Sequence, residues 1–337
     1  MKVFIIGGTG LLGSSAAWEL TRRGHEVISM SLPPLPEGAV FPPSMKIIYG
    51  NYLNSTDEEL RQILRKCSGF IFASGVDERL EGPPPVYKMY QKYNIDPVKR
   101  LLRLAKECGV RHSVVCGSYF SYFNRIMPQK DFANRNPYIR SRVEQEEVAL
   151  SYACDDFDVS ILELPYIFGT QPGRKPVWVF LAQYLLKMKP VVFYPDGGSA
   201  MVTVRQVGEA LAGAIECSRG GQRFPIGWFN LKWKEMLNMM NSGLGCPNRK
   251  VVTIPRWLFS LAARRIMQEQ KHRSIQSGLD MTHIADLQCS DLFIWKELGC
   301  TSLGVTEDNL ETAIADSMKL CRDILVKNTP VMGMRGE

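Results

Sequence analysis

The chain has 337 residues, 45% of them hydrophobic and 22% charged, which is ordinary for one large or two modest globular domains. Its net charge of +7 fits an anionic substrate or cofactor, but this mild excess does not by itself indicate nucleic-acid binding. Nine cysteines without a CxxC pair and four histidines without ligand spacing argue against a disulfide framework and against a bound metal.

The chain begins with MKVFIIGGTG, which predicts a buried strand from the second or third residue. Such a start leaves no room for a signal or transit peptide. No stretch reaches the length of about 18 uninterrupted apolar residues that a membrane-spanning helix needs. We therefore expect a cytoplasmic protein without a membrane partner.

Short apolar runs alternate with longer amphipathic stretches in the first half of the chain. The predicted strands are Val3–Ile6, Glu26–Met30, Met45–Tyr49, Gly69–Ala73, Ser113–Cys116 and Val159–Leu164. The predicted helices cover residues 11–23, 56–66, 86–108 and 137–153. Continuous apolar strands that alternate with helices predict an α/β fold with a doubly wound parallel sheet, covered on both faces.

The second half is less regular. Its pattern predicts a helix over 176–188 and a strand ending in a turn over 190–198. It further predicts a strand end followed by a helix over 203–218, a helix over 232–245, and mostly helical structure over 249–330. We expect residues 1–170 to form the main domain, with residues 200–230 returning to it. Residues 171–199 and 231–330 are then expected to form a smaller, mostly helical substrate-binding domain.

Three glycines at GxxGxxG spacing follow the first predicted strand and open the first predicted helix. Gly7 permits a tight turn, Gly10 lets the backbone approach a pyrophosphate, and Gly13 lets the helix pack close to the sheet. The helix N-terminus offers unpaired N–H groups and a partial positive charge to the phosphates. The pattern favours a Rossmann-type dinucleotide-binding domain over a glycine-rich turn without a ligand.

Further motifs match one enzyme group in the same order along the chain. They are FIFASG, YNIDPVKRLLRLAKECGV, VVCGSYFSYF, YIRSRVEQE and LELPYIFG. On these motifs the sequence resembles the extended short-chain dehydrogenases/reductases, including atypical ones, which comprise NAD-dependent epimerases, dehydratases and reductases. The resemblance is clear to about residue 215 and looser beyond it.

The resemblance implies both a cofactor site and a catalytic site. The implied cofactor residues are Gly7, Thr9, Gly10, Leu11, Leu12, Gly13, Ser31, Asn51, Tyr52, Ala73, Ser74, Gly75, Asn94, Tyr138, Arg142, Pro165 and Ile167. The implied catalytic residues are Ser118, Tyr138 and Arg142, with Ser118 as the serine if Tyr122 takes the second aromatic position. The resemblance also allows a homodimer.

Four positions depart from the family pattern. Asn51 stands in place of an acidic residue, Arg142 in place of the lysine, and Leu164 in place of an arginine. At the end of the second strand, Ser31 replaces the usual aspartate that binds the NAD ribose. Because no acid there repels a 2′-phosphate, the sequence leans toward NADP over NAD.

The motif YIRSR places Tyr138 and Arg142 four residues apart, on one face of a helix. In the resembling enzymes the tyrosine transfers a proton while hydride moves to or from the nicotinamide, and a cation lowers the tyrosine pKa from about 10. Arginine keeps the charge but does not release a proton, and its planar fork is not equivalent to lysine. The pair is therefore a retuned catalytic site, a decayed one, or a coincidence on a solvated helix.

The sequence favours an NAD(P)-dependent oxidoreductase or epimerase/dehydratase that acts on a carbonyl or secondary alcohol, such as that of a nucleotide sugar. The alternative is a decayed nucleotide-binding scaffold that acts in redox sensing or RNA binding. Arg174 and Lys175 are candidates for gripping a phosphate-bearing small-molecule substrate, or are simply solvated loop cations. The basic segment 263–273 lacks the interleaved aromatics of a single-strand platform, so nucleic acid is not a favoured partner.

Overall fold

The structure is a computed structural model that describes residues 1–188 and 190–333. In these ranges the strands are β1 (Lys2–Ile6), β2 (Glu26–Ser31), β3 (Lys46–Tyr49), β4 (Gly69–Phe72), β5 (Glu81–Gly82), β6 (His112–Ser118), β7 (Asp158–Leu164), β8 (Tyr166–Phe168), β9 (Val191–Pro195), β10 (Gly198–Thr203), β11 (Gly221–Pro225), β12 (Phe229–Lys232), β13 (Lys250–Ile254), β14 (Gln276–Ser277) and β15 (Asp291–Leu292). The α-helices are α1 (Leu11–Arg22), α2 (Asp57–Leu64), α3 (Tyr87–Tyr90), α4 (Asp96–Glu107), α5 (Tyr119–Ile126), α6 (Phe132–Arg135), α7 (Pro137–Leu150), α8 (Val179–Lys187), α9 (Val204–Cys217), α10 (Trp233–Gly243), α11 (Arg256–His272), α12 (Ile284–Gln288) and α13 (Leu310–Lys327).

Seven of the described strands form one parallel sheet, in the order β11-β7-β6-β4-β1-β2-β3. Apolar clusters cover both faces: α1 and α9 pack on one, and α2, α4 and α7 on the other. The central strand β1 is almost fully buried because it has neighbours on both edges and both faces. The predicted doubly wound α/β fold is confirmed.

The chain leaves the main sheet after β7 and returns to it once. β10 lies in a separate small sheet with β8, β12 and β15, whereas β11 pairs in parallel with β7 at the edge of the main sheet. A third apolar cluster, formed by α8, α10, α13 and their strands, fills the smaller body. The domain boundaries given above stay a prediction.

Several described elements differ from the sequence-based expectation, and two of them are instructive. Lys250–Ile254 is a strand that pairs with β9, inside a stretch that was expected to be mostly helical. The β-branched residues in its sequence KVVTI suit a strand, but the segment becomes one only because it pairs with β9. The predicted helix over 86–108 is broken into α3 and α4 by a π-helical turn at Gln91–Ile95, which no sequence period reveals.

Among the described residues, no helix is both long enough and apolar enough to cross a membrane.

Candidate active site

A pocket of about 400 Å³ opens at the carboxyl ends of the main-sheet strands. Strand ends supply its floor, with Gly7 after β1, Ser31 at the end of β2, Ala73 after β4, Ser118 at the end of β6 and Leu164 at the end of β7. Ligands of doubly wound sheets bind at this edge, where neighbouring crossovers diverge. The fold thus gathers residues that are far apart in the sequence.

All the site residues implied by the sequence line this pocket, except two. Gly13 and Asn94 lie behind the wall. A Cβ at Gly13 would come within 2.3 Å of the Gly7 carbonyl oxygen, so Gly13 serves close packing of α1. Asn94 is fully buried and acts through its neighbours.

The glycine loop has the conformation that a phosphate site needs. Gly7 has a φ of +86°, and a Cβ there would lie 2.5 Å from the Ala73 carbonyl oxygen. A Cβ at Gly10 would meet only the Gly7 carbonyl oxygen within 4 Å and would otherwise project into open space. The loop therefore leaves an open cradle at the N-terminus of α1, where N–H groups face a ligand.

The second-strand end of the pocket carries no charged side chain. The Ser31 hydroxyl is buried and lies 2.9 Å from the Ser29 hydroxyl. Arg22 and Arg23 both bind Glu19, at 2.7 Å, and neither lines the pocket. A phosphate bound next to Ser31 would therefore have no arginine of α1 beside it.

Side chains from two loops close the same end of the pocket. The Asn51 side-chain oxygen accepts a hydrogen bond from the Leu53 backbone N–H at 3.0 Å, so it forms a local turn. The Tyr52 hydroxyl lies 3.1 Å from that of Ser74. Burial raises the pKa of Tyr52, which keeps this hydroxyl protonated.

A hydrogen-bond network fixes Arg142 beneath the pocket. Its guanidinium donates to the carbonyl oxygens of Cys116, at 3.3 Å, and Val76, at 3.1 Å, and to the side-chain oxygen of Gln145, at 2.9 Å. Asn94 holds Val76 from the other side, through bonds of 2.8 and 3.1 Å to its N–H and carbonyl groups. Gln145 in turn donates to the Asn94 carbonyl oxygen at 2.7 Å. The cation is thus held in one position, not displayed on a flexible stem.

The Arg142 guanidinium lies over the ring of Tyr138, with 5.2 Å between its central carbon and the ring centroid. Its Nε is buried and has no hydrogen-bond partner among the described residues. A buried N–H without a partner is costly, and the Arg142 side chain itself lines the pocket.

Tyr138 lies in the first turn of α7, which begins at Pro137, a residue suited to a helix start. Its backbone N–H donates to the Gly278 carbonyl oxygen at 3.0 Å, which ties the active-site helix to the C-terminal segment. Burial raises the pKa of its phenol, although the charge of Arg142 and the nearby Ser118 hydroxyl act in the opposite direction. At neutral pH the phenol therefore carries its proton.

Ser118 ends β6 and caps α5. Its hydroxyl oxygen accepts a hydrogen bond from the Phe120 backbone N–H at 3.4 Å. The side chain is buried at the pocket wall beside Tyr138. Tyr122, by contrast, does not line the pocket, whereas Tyr119 does.

Sequence reasoning missed Glu78. This half-buried carboxyl lines the pocket and has no hydrogen bond or ion pair with another side chain among the described residues. Burial and the neighbouring charge of Asp77 raise its pKa to about 7, whereas Arg142 acts in the opposite direction. Its negative charge also raises the pKa of Tyr138. No spacing rule singles out this residue, because it follows a strand in an irregular loop.

The loop after β8 reaches across to the glycine loop. Gln171 donates to the Thr9 carbonyl oxygen at 2.9 Å, and Arg174 donates to the same oxygen at 3.3 Å. Arg174 is therefore not the solvated cation that one interpretation of the sequence proposed. Lys175 is exposed at the pocket rim.

A comparison with known protein families agrees with the dinucleotide-binding geometry of the pocket. The NAD dependent epimerase/dehydratase family matches residues 3–224. The chain belongs to this family. As the sequence predicted, it is thus related to the extended short-chain dehydrogenases/reductases, and the family consists of enzymes. No curated protein matches the chain.

Solved structures with the same fold cover nearly the whole chain. The protein gox2253 is 18% identical, with a TM-score of 0.72, over 98% of this chain and 99% of its own. MoeE5, solved with UDP-glucose and NAD, is 20% identical, with a TM-score of 0.66, over 96% and 100%. UDP-N-acetylglucosamine 4-epimerase from Bacillus cereus is 14% identical, with a TM-score of 0.63, over 98% of both chains. At these identities the likeness establishes the fold alone.

Proposed function

We propose that this enzyme transfers hydride between a bound nicotinamide dinucleotide and a secondary alcohol or carbonyl of a nucleotide sugar. The observation that carries the proposal is the arrangement of one pocket. Its glycine cradle lies at one end, and Ser118, Tyr138 and Arg142 meet at the other. Neither end of the pocket indicates the function alone. Together they suit a dinucleotide at the cradle and a reacting oxygen at the other end.

The described residues fit a dinucleotide. The open cradle at Gly10 suits a pyrophosphate, and the charge of Arg142, which lines the pocket, suits a ribose hydroxyl or a reacting oxygen. Pro165 and Ile167 give the pocket an apolar wall beside Tyr138. When bound, the nicotinamide supplies the hydride acceptor or donor.

The chain's own residues then handle the proton. In the reductive direction the buried, protonated Tyr138 donates its proton to a carbonyl oxygen and becomes a phenolate; in the oxidative direction the phenolate form accepts the proton of the alcohol. The Ser118 hydroxyl orients that oxygen. Arg142 stabilises the phenolate that remains, because its charge is fixed within reach of the ring.

NAD is the proposed cofactor. The sequence leaned toward NADP because no acidic residue stands at Ser31 to repel a 2′-phosphate, which the Ser31 hydroxyl would then have to bind. That hydroxyl already pairs with Ser29, and Arg22 and Arg23 already pair with Glu19. A 2′-phosphate would therefore lack a cation, whereas an uncharged ribose needs none.

The nucleotide-sugar substrate is proposed from the fold neighbours and from the rim of the pocket. MoeE5 was solved with UDP-glucose, and Lys175 offers an exposed charge at the mouth of this pocket. The homodimer and the cytoplasmic location stay predictions.

The first experiment is a titration of the purified protein with NADH and with NADPH, following nicotinamide fluorescence and thermal stability together. Tight binding of NADH with thermal stabilisation is expected, because a ligand of the folded state stabilises by mass action. Binding of neither nucleotide would contradict the proposal and favour the decayed scaffold.

Turnover is then tested with UDP-sugars and bound NAD. Tyr138→Phe is expected to lower kcat by about a hundredfold or more while NADH still binds, because proton transfer is lost and the pocket remains. Tyr122→Phe is the matched control, since this tyrosine lies outside the pocket. Equal activity of the two variants would exclude Tyr138 as the proton carrier.

A further inference from the structure

An exposed apolar surface runs from the mouth of the pocket. Phe180 lines the pocket, yet 51% of it is exposed. One helical turn further along α8 lies Tyr184, whose hydroxyl donates to the Phe193 carbonyl oxygen on β9 at 2.9 Å. Phe193 stands opposite Val252 of β13, and both are exposed. The outward face of this strand pair is therefore apolar, although its inward face already packs in the core.

Helix α11 continues this surface. It follows β13 directly and also contacts β9. Of its 17 residues, the structure buries only Ala263. Trp257 is 69% exposed and Leu261 is 53% exposed. We call the set the outer apolar surface, and its members are Phe180, Tyr184, Phe193, Val252, Trp257 and Leu261.

Unpaired cations lie on the elements that carry the outer apolar surface (α8, β13 and α11) or directly after α11. They are exposed and form no ion pair among the described residues, and they are Lys187, Lys250, Arg264, Arg265, Lys271 and Arg273. The one acidic residue in the sequence of α11 is Glu269. Trp257 and Leu261 lie in the first half of α11, whereas Arg264, Arg265 and Lys271 lie from its middle to its end.

We propose that the outer apolar surface docks on an anionic lipid bilayer, with the mouth of the pocket facing the membrane. A helix with exposed Trp and Leu beside Arg and Lys suits the boundary between acyl chains and headgroups. Such surface contact needs no spanning helix. The proposal does not depend on the reaction, because docking requires no turnover.

The charges favour a lipid surface over a second copy of the chain. In a two-fold dimer the same patch meets itself, so the cations of one copy would face those of the other. Anionic headgroups instead complement these charges, at about fivefold in affinity for each cation near the surface.

The test is co-sedimentation of the full-length protein with vesicles of phosphatidylcholine, with and without phosphatidylglycerol, at low and high salt. Binding is expected only with phosphatidylglycerol, and it should weaken as salt screens the headgroups. Two double variants are each expected to weaken binding by about tenfold or more: Trp257→Ala with Leu261→Ala, and Arg264→Gln with Arg265→Gln.

Two matched controls keep this test specific. Trp295→Ala removes an equally exposed tryptophan elsewhere, and Lys46→Gln/Lys66→Gln removes two exposed cations of the main domain. Both should bind as the wild type does. The proposal is overturned if these controls weaken binding equally, or if neutral vesicles bind as well. Concentration-dependent dimerisation that Trp257→Ala/Leu261→Ala abolishes would assign the surface to a second copy instead.

Discussion

Arg142 differs from a lysine in how it is held. Its guanidinium makes three bonds, to Val76, Cys116 and Gln145, and still has an unpartnered Nε. An ammonium has only three donors and no planar fork, so it would not reproduce this set. The arginine therefore serves both as the cation beside Tyr138 and as a support for the pocket wall.

This dual role predicts different outcomes for two substitutions. Arg142→Gln removes the charge, so the pKa of Tyr138 should rise further and kcat should fall by about a hundredfold or more. Arg142→Lys keeps the charge and should stay within about tenfold of the wild type. Steady-state kinetics with a UDP-sugar measures both, with Arg140→Gln on the exposed side of the same helix as the control. Wild-type turnover in Arg142→Gln would argue that the cation is structural only.

Glu78 predicts a pH effect near neutrality. Below its pKa of about 7 the carboxyl is neutral, and above that value its charge raises the pKa of Tyr138. Glu78→Gln should therefore shift the alkaline rise of oxidative kcat/KM to lower pH, because Tyr138 then ionises more easily. The measurement is kcat/KM against pH. An unchanged profile would show that Glu78 does not act on the phenol.

At the scale of elements, the π-helical turn Gln91–Ile95 positions Asn94 behind the pocket. An extra residue in a helical turn redirects the side chains around it, and such turns are frequent at functional sites. Here the turn aims Asn94 at the backbone of Val76, which in turn receives Arg142. Asn94 is therefore a positioning residue.

Removing this support should affect stability and catalysis together. Asn94→Ala leaves the Val76 N–H without its partner and leaves the Val76 carbonyl oxygen with Arg142 alone, at a cost of about 1–3 kcal/mol in the free energy of unfolding. Urea titration measures that loss, and kcat should fall because Val76 no longer holds Arg142. Lys92→Ala, in the same turn but exposed, is the control and should change neither quantity.

The sequence predicted the elements whose structure depends on residues nearby in the chain. The run from β1 through the glycine loop to α1 carries its own signals, and so does the start of α7 at Pro137. The strand Lys250–Ile254 and the π turn were missed because distant contacts decide them: pairing with β9 in one case and the bond to Val76 in the other. Glu78 was missed for the same reason, since its role depends on a fold that places it near Tyr138.

At the scale of the whole molecule, two buried carboxyls lie between β7 and α7. Glu163 is fully buried and binds Arg125 through two bonds of 2.8 and 3.0 Å, and Arg223 binds Glu146 at 3.2 Å. Burial and the charge of Glu163 raise the pKa of Glu146 to about 8. The folded state thus holds a proton that the unfolded state releases near a pKa of 4.5.

This proton makes stability depend on pH. A raised carboxyl pKa stabilises the fold fully below the unfolded value, and that contribution is lost as pH rises from about 4.5 to about 8. The slope is at most about 1.4 kcal/mol per pH unit. Glu146→Gln should flatten this decline in urea titrations at several pH values, whereas Glu147→Gln, which is exposed, should not. If the stability of wild type and of Glu146→Gln falls with pH in the same way, a group other than Glu146 holds the proton.

The bonds from Gln171 and Arg174 to Thr9 join the two walls of the pocket. We expect a dinucleotide in the cradle to lie beside these bonds and therefore to exchange slowly with solvent. Slow exchange suits a reaction cycle that oxidises and then re-reduces the same sugar, because the nicotinamide returns to its starting state in each turnover. A net dehydrogenase would instead be limited by the escape of its own reduced coenzyme. Slow exchange measured in the purified protein would therefore agree with epimerase-type or dehydratase-type chemistry, and fast exchange with net oxidation.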